Sequence, residues 1–266
     1  MSHTRGLAIT SVLVEVALCA LLVLDSGSVL AQARSAVPTQ ADAPPTLVIG
    51  FMGGFVHSDD LRHSEAQLAQ HLEQSYGDRV TVKMFQNRQR AQAHEAIIDW
   101  LTRLGNAGFT AVRSQPQVVL FGHSWGASAV VYLCRELERE GIRVSLTVQV
   151  DSVRKHGEDD ALIPANVVEA ANFYQPNGIL HGQSAIRAAD PTRTTILGNY
   201  RFVYQREPAA CRAYPWRDRF LFKGHTAIEC DPHVWSQVEN IIESRLPVTR
   251  APEAAAYSAP IVPFAP

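Results

Sequence analysis

The sequence predicts an α/β fold, doubly wound, in which helices flank a mostly parallel sheet. Three observations carry that prediction. Apolar runs of strand length alternate along the chain with amphipathic stretches of helical period, the order a parallel sheet needs. One such run, Val118-Val119-Leu120-Phe121, passes through Gly122-His123-Ser124-Trp125-Gly126 straight into the small residues Ala127, Ser128 and Ala129. The composition, 46% hydrophobic and 19% charged over 266 residues, suits the core of one domain. The near-balanced charge of −2 gives no basic excess, which argues against a nucleic-acid partner.

Taken in order, the chain begins with a leader. His3 and Arg5 precede an unbroken apolar run over 16–24, and Ala31-Gln32-Ala33 offers a small-x-small cleavage site. Residues 1–33 read as a signal peptide cut after Ala33, which predicts a periplasmic or secreted protein. Glu15 beside the run and the long stretch 25–30 are atypical of such leaders. The run is too short to span a bilayer comfortably, so no stable membrane span is expected after cleavage. Residues 34–45 are rich in Ala, Pro and Gln and read as a linker to a domain over 46–249.

Within the domain, 46–51 reads as a strand ending in Gly53-Gly54-Phe55. A helix is expected over 61–76, capped by Asp60 or Ser58, with Leu61, Leu68 and Leu72 inward and Gly77 closing it. Alternation of Val80, Val82 and Met84 predicts a strand over 79–85, and Ile97, Ile98, Leu101 and Leu104 a helix over 92–104. After the Ser124 unit comes a strand over 142–150 ending at Asp151. Further strands are expected at 170–175 and 200–205, with irregular chain at 184–194 and a surface excursion over 206–223. Pro232 starts a last helix with Val234, Val238, Ile241 and Ile242 inward. Residues 250–266 form an Ala/Pro-rich tail, expected to be disordered. Once the leader is removed, Cys134, Cys211 and Cys230 remain. Cys134 shares a helix face with Val130, Leu133 and Leu137 and reads as a buried thiol. Cys211 and Cys230 can pair in an oxidising compartment.

Strand, sharp turn and helix around G-x-S-x-G is the context of a nucleophile elbow. Such a turn lifts the serine hydroxyl clear of the sheet. Gly122 and Gly126 leave room where a Cβ would collide, and the helix N-terminus behind Ser124 favours developing negative charge. On Gly122-His123-Ser124-Trp125-Gly126 and its flanks, the chain resembles the α/β-hydrolase superfamily of esterase- and lipase-like serine hydrolases.

The resemblance implies a chain order of serine, acid, histidine. Four histidines follow Ser124: His156, His181, His225 and His233. His225 matches the position of the base, because it follows the apolar segment Phe220-Leu221-Phe222 and precedes the final helix; a loop is expected there. His233 is the runner-up. Asp151, at the carboxyl edge of its strand, is the candidate acid. The superfamily more often carries the acid one strand later, but Pro176-Asn177-Gly178 offers no carboxylate; Asp190 is the weaker alternative. The resemblance places an oxyanion hole at the backbone of Gly54 or Phe55 and of Trp125. His225, Cys230, Asp231 and His233 have the side-chain types of a metal site, but their spacing matches no common zinc pattern. No cofactor and no metal are therefore expected. Phe55, Trp125, Phe173, Tyr174 and Trp216 could wall an acyl pocket, although each also suits ordinary core or rim. The expected activity is hydrolysis of an ester or related acyl bond in a small-molecule or lipid-like substrate. A hydrolase fold retained only for binding, and an acyltransferase, are the alternatives.

Overall fold

The computed structural model describes residues 43–247, apart from 108–114, 156 and 158. The leader, its cleavage site, most of the linker, the tail and His156 lie outside the described residues.

Seven residues at Thr46–Met52 (β1) are all buried, as a strand covered on both faces must be. Val80–Gln86 (β2) and Gln117–His123 (β3) pair with it on either side, in parallel. Val144–Val150 (β4) pairs with β3, Val167–Tyr174 (β6) with β4, and Thr195–Arg201 (β8) with β6, again in parallel. The order across this six-stranded sheet is β2-β1-β3-β4-β6-β8. Leu162–Ile163 (β5) and Arg187–Ala188 (β7) make a separate two-stranded ladder. The order reverses between β1 and β3. In open α/β sheets the crevice beyond the carboxyl ends of the strands at such a switch point is where ligands bind.

Helices cover both faces. Arg90–Asn106 (α2) and Trp125–Arg139 (α3) bury Ile97, Trp100, Val130, Leu133 and Leu137 against Leu47, Ile49 and Phe51. On the other face, Ser64–Tyr76 (α1) and Pro232–Glu243 (α6) bury Leu68, Leu72, Val234 and Val238 against Val48, Val119 and Phe121. Successive β1 residues thus serve opposite cores, as the two-residue period of a strand requires. Among the described residues no helix is long and apolar enough to cross a membrane.

Several boundaries differ from expectation for local reasons. Helix α1 starts at Ser64, not at 61. The Asp60 carboxylate is taken by the backbone N–H and guanidinium of Arg62, and the Asp60 carbonyl accepts the His63 N–H at 3.0 Å. These bonds close a turn in front of the helix and leave Leu61 exposed. The strand expected at 200–205 is β8, which lies earlier. The larger correction concerns Phe220-Leu221-Phe222. That segment ends a short helix, Trp216–Leu221 (α4), and all three side chains are exposed. His225 accordingly sits in another short helix, Lys223–Cys230 (α5), not in a loop. The segment does not pair with β8, the last strand of the sheet.

Candidate active site

Ser124 stands between β3 and α3 with φ +55° and ψ −124°, a backbone conformation L-residues rarely adopt. Its N–H donates to the Val150 carbonyl at 2.9 Å, and its carbonyl accepts the Ser128 N–H at 3.2 Å. The turn is tight enough to require its glycines. A Cβ on Gly122 would lie 2.7 Å from the Gly126 carbonyl carbon, and one on Gly126 would lie 2.3 Å from the Phe51 carbonyl oxygen. The glycines therefore let α3 press against β1 and β3, and this close approach fixes where the hydroxyl points.

The structure brings Ser124, His225 and Asp151 together. His225 Nε2 lies 2.8 Å from Ser124 Oγ, and His225 Nδ1 lies 2.7 Å from Asp151 Oδ2. Asp151 is fully buried, just beyond the end of β4, also at positive φ. Its carboxylate accepts further hydrogen bonds from the Gly182 N–H at 2.8 Å, the Gln175 N–H at 3.3 Å and Gln175 Nε2 at 2.8 Å. Asp190 is elsewhere, accepting from Thr192, and His181 and His233 are exposed.

Gln175 and Gly182 are two contributors that sequence reasoning missed. Gln175 follows β6, where the resemblance more often places the acid. This chain carries an amide there, and the amide donates to the acid on the neighbouring strand. Gly182 is fixed by close approach, since a Cβ would lie 2.3 Å from the Asp151 carbonyl carbon. Neither announces itself by residue type.

The Gly53–Phe55 turn abuts Ser124. The Val56 N–H closes it onto the Gly53 carbonyl at 3.3 Å, and Gly54 takes φ +47°. A Cβ on Gly53 would lie 3.2 Å from Ser124 Cβ. The Asn87 amide braces the turn through the Gly54 carbonyl. Phe55 is exposed, and its ring meets Trp125 edge-on at 5.6 Å. Trp125 is the first residue of α3, where a backbone N–H has no acceptor within the helix. Gly54, Phe55 and Trp125 thus lie together beside Ser124. Of the other aromatics, Phe173 is core, stacked on Tyr200 at 4.8 Å. Trp216 is exposed and lines a cleft of about 650 Å³ with Tyr204, Phe220, Lys223 and Gly224. Gly224 adjoins His225 in sequence, but Ser124, His225 and Asp151 do not line this cleft.

Cys211 and Cys230 form a disulfide with Cα atoms 5.2 Å apart, tying the segment before α4 to the end of α5. Cys134 is buried, and desolvation holds its thiol well above the usual range. With Cys230 in the disulfide and both ring nitrogens of His225 engaged, the metal set considered from sequence does not assemble.

A second buried cluster lies against His225. His123, 2% exposed, stacks on His225 with ring centroids 4.5 Å apart. Its Nδ1 faces Glu65 Oε1 at 3.6 Å and Glu229 Oε2 at 3.7 Å. Glu229 Oε1 in turn meets His63 Nδ1 at 2.5 Å, and Glu65 Oε1 accepts the Gly53 N–H at 3.4 Å. Burial alone would hold His123 neutral. The Glu229 charge and then Glu65 outweigh it and push its pKa up to about 9. Burial also opposes charge on His63, but Glu229 raises it. Burial would raise Glu65, but His123 lowers it. The cluster thus sets two imidazole rings against two carboxylates. At His225, burial first and the His123 charge second push the pKa below that of an ordinary imidazole, against the pull of Asp151.

The strand order and the β3–Ser124–α3 turn define an α/β-hydrolase fold. No protein-family model matches the sequence, and no curated protein matches it. Solved structures with a similar chain course include RedJ, a thioesterase of the prodiginine pathway of Streptomyces coelicolor. It is 13% identical, with 84% of this chain and 98% of that one covered and a TM-score of 0.39. A YdeN-like hydrolase from Pectobacterium atrosepticum is 15% identical over 76% of this chain and 94% of that one, with a TM-score of 0.40. The type II thioesterase BorB of the borrelidin cluster is 12% identical over 77% and 96%, with a TM-score of 0.35.

Proposed function

We propose that the protein is an exported serine hydrolase that cleaves an ester or related acyl bond through Ser124, His225 and Asp151. The observation that carries this reading is the continuous relay from Ser124 Oγ through His225 to Asp151, at 2.8 and 2.7 Å. A serine hydroxyl is a poor nucleophile until a base accepts its proton. His225 Nε2 takes the proton as Oγ bonds to the acyl carbon. Asp151 holds Nδ1–H, which fixes the tautomer and stabilises the imidazolium. The backbone N–H groups of Gly54 or Phe55 and of Trp125 receive the oxyanion. His225 then protonates the leaving group as the tetrahedral intermediate collapses, and water releases the acyl group by the same steps. Export is supported by the leader pattern and by the Cys211–Cys230 disulfide, since disulfides persist in oxidising compartments. The N-terminal sequence of protein secreted by an expressing cell tests it, with Arg34 expected first.

The activity is tested on activated oxygen esters and thioesters of increasing acyl length. Turnover by wild-type protein that is lost in Ser124→Ala supports the reading. Turnover that survives the substitution contradicts it, and so does inactivity of folded wild-type protein across the series.

A further inference from the structure

His123 has no part in the relay, yet it is buried directly behind it. Three placements converge there. It immediately precedes the nucleophile on β3, so its backbone is fixed by the same parallel ladder that places Ser124. Its ring is tilted 31° from that of His225, with centroids 4.5 Å apart. Its Nδ1 points between two carboxylates from different helices, Glu65 of α1 and Glu229 of α5, at 3.6 and 3.7 Å. Neither ring nitrogen of His123 has a hydrogen-bond partner among the described residues. His63 already meets Glu229, so a neutral imidazole so placed would leave both its nitrogens idle and the buried Glu65 short of positive charge, a costly arrangement. A protonated ring answers the second deficit.

We propose that His123 is a positioning residue: an imidazolium near neutral pH, held between Glu65 and Glu229, that keeps the neighbouring His225 in its neutral, proton-accepting form. The inference rests on the hydrolase reading for its catalytic consequence, but the charge of His123 does not depend on that reading. The groups facing His225 are Asp151 from β4, Glu229 from its own helix and His123 from β3. Those facing His123 are Glu229, Glu65 and, more weakly, Asp151. His63 and the Tyr214 ring, which pack edge-on at 4.9 Å, close the far side of the carboxylates. Asp151 alone would hold a proton on His225 and make it a sluggish base. The His123 charge opposes that pull, so the proton taken from Ser124 is readily passed to the leaving group. A base works best when its pKa lies near the operating pH.

Two measurements test this. The first needs no substitution. In wild-type protein with ¹⁵N-labelled histidine, the two His123 nitrogens should both carry protons across about pH 6 to 8, while His225 is neutral over much of that range. Assignment comes from the signals missing in His123→Asn. A neutral His123 near pH 7, bare or bound to a cation, overturns the proposal. The second is the pH dependence of kcat/KM on an activated ester. In His123→Asn the acid limb should move to higher pH, and each unit of displacement reads as about a tenfold loss below the limb. A uniform loss with an unmoved limb overturns the proposal, because a merely structural histidine would behave so. If His123→Asn does not fold, His123→Gln supplies the missing signals, and the wild-type spectra still decide. Wild-type protein without any hydrolytic activity would sink the hydrolase reading and leave the charge measurement standing.

Discussion

His225 and His123 are both nearly fully buried, stack 4.5 Å apart and shift in opposite directions. Burial disfavours the charged form of each, so burial does not separate them. The carboxylates do. His225 is hydrogen-bonded to one, Asp151, which spreads its oxygens over three other donors from Gln175 and Gly182. His123 meets two, and Glu65 Oε2 has no hydrogen-bond partner among the described residues. On the proposed reading, the same side chain serves as a proton acceptor in one place and a charge in the other. Neighbouring donors decide how much of a carboxylate's charge is left to act on the ring.

The largest effect should come from removing the single carboxylate at His225. Asp151→Asn is expected to lower kcat by about 10⁴-fold with the fold intact, because the amide favours the wrong imidazole tautomer. Steady-state kinetics beside a circular-dichroism melt would check this. Removing one of the two carboxylates at His123 should act chiefly on stability. The pKa of His123 rises from 6.5 to about 9 on folding, so its contribution is complete below pH 6.5 and is lost as pH rises through about 9. Glu229→Gln should therefore cost about 3 kcal/mol near pH 7, and less above pH 9. Denaturant melts at the two pH values would read the difference; a deficit that grows with pH would contradict the ion-paired account. Cys211→Ser with Cys230→Ser opens a 19-residue separation and should cost about 3 kcal/mol, by the same melts, while freeing α5 near its base-bearing turn. Gln175→Leu is the smallest: one of the donors to Asp151 is lost, and kcat should fall by about tenfold.

The parts of the site that could be read in the sequence are those whose chemistry forces a local pattern. The glycines of the Ser124 turn are required by contacts within five residues and with one adjacent strand. Asp151 follows an apolar strand directly, so its place at the sheet edge follows from periodicity. His225 was reachable through chain order, although the reason offered was partly mistaken. Phe220-Leu221-Phe222 has a strand's composition, but the sheet ends at β8, and the segment forms an exposed turn of helix. The rest depends on tertiary placement. Glu65 begins an otherwise ordinary amphipathic helix, and Glu229 sits between Ile228 and Cys230. Nothing within either helix says that both carboxylates meet His123. Gln175 was likewise hidden, because its role exists only once β6 lies beside β4. The Cys211–Cys230 pairing was one of the long-range links the residue types did suggest.

Ser124 is proposed to act as a nucleophile activated by His225. The most direct measurement is the intact mass of the folded protein after reaction with a fluorophosphonate, followed by peptide mapping. One adduct per chain, on Ser124, absent in Ser124→Ala and formed far more slowly in His225→Ala, is the predicted result. Folded wild-type protein that takes up no label, or label that persists when Ser124 is alanine, would contradict it.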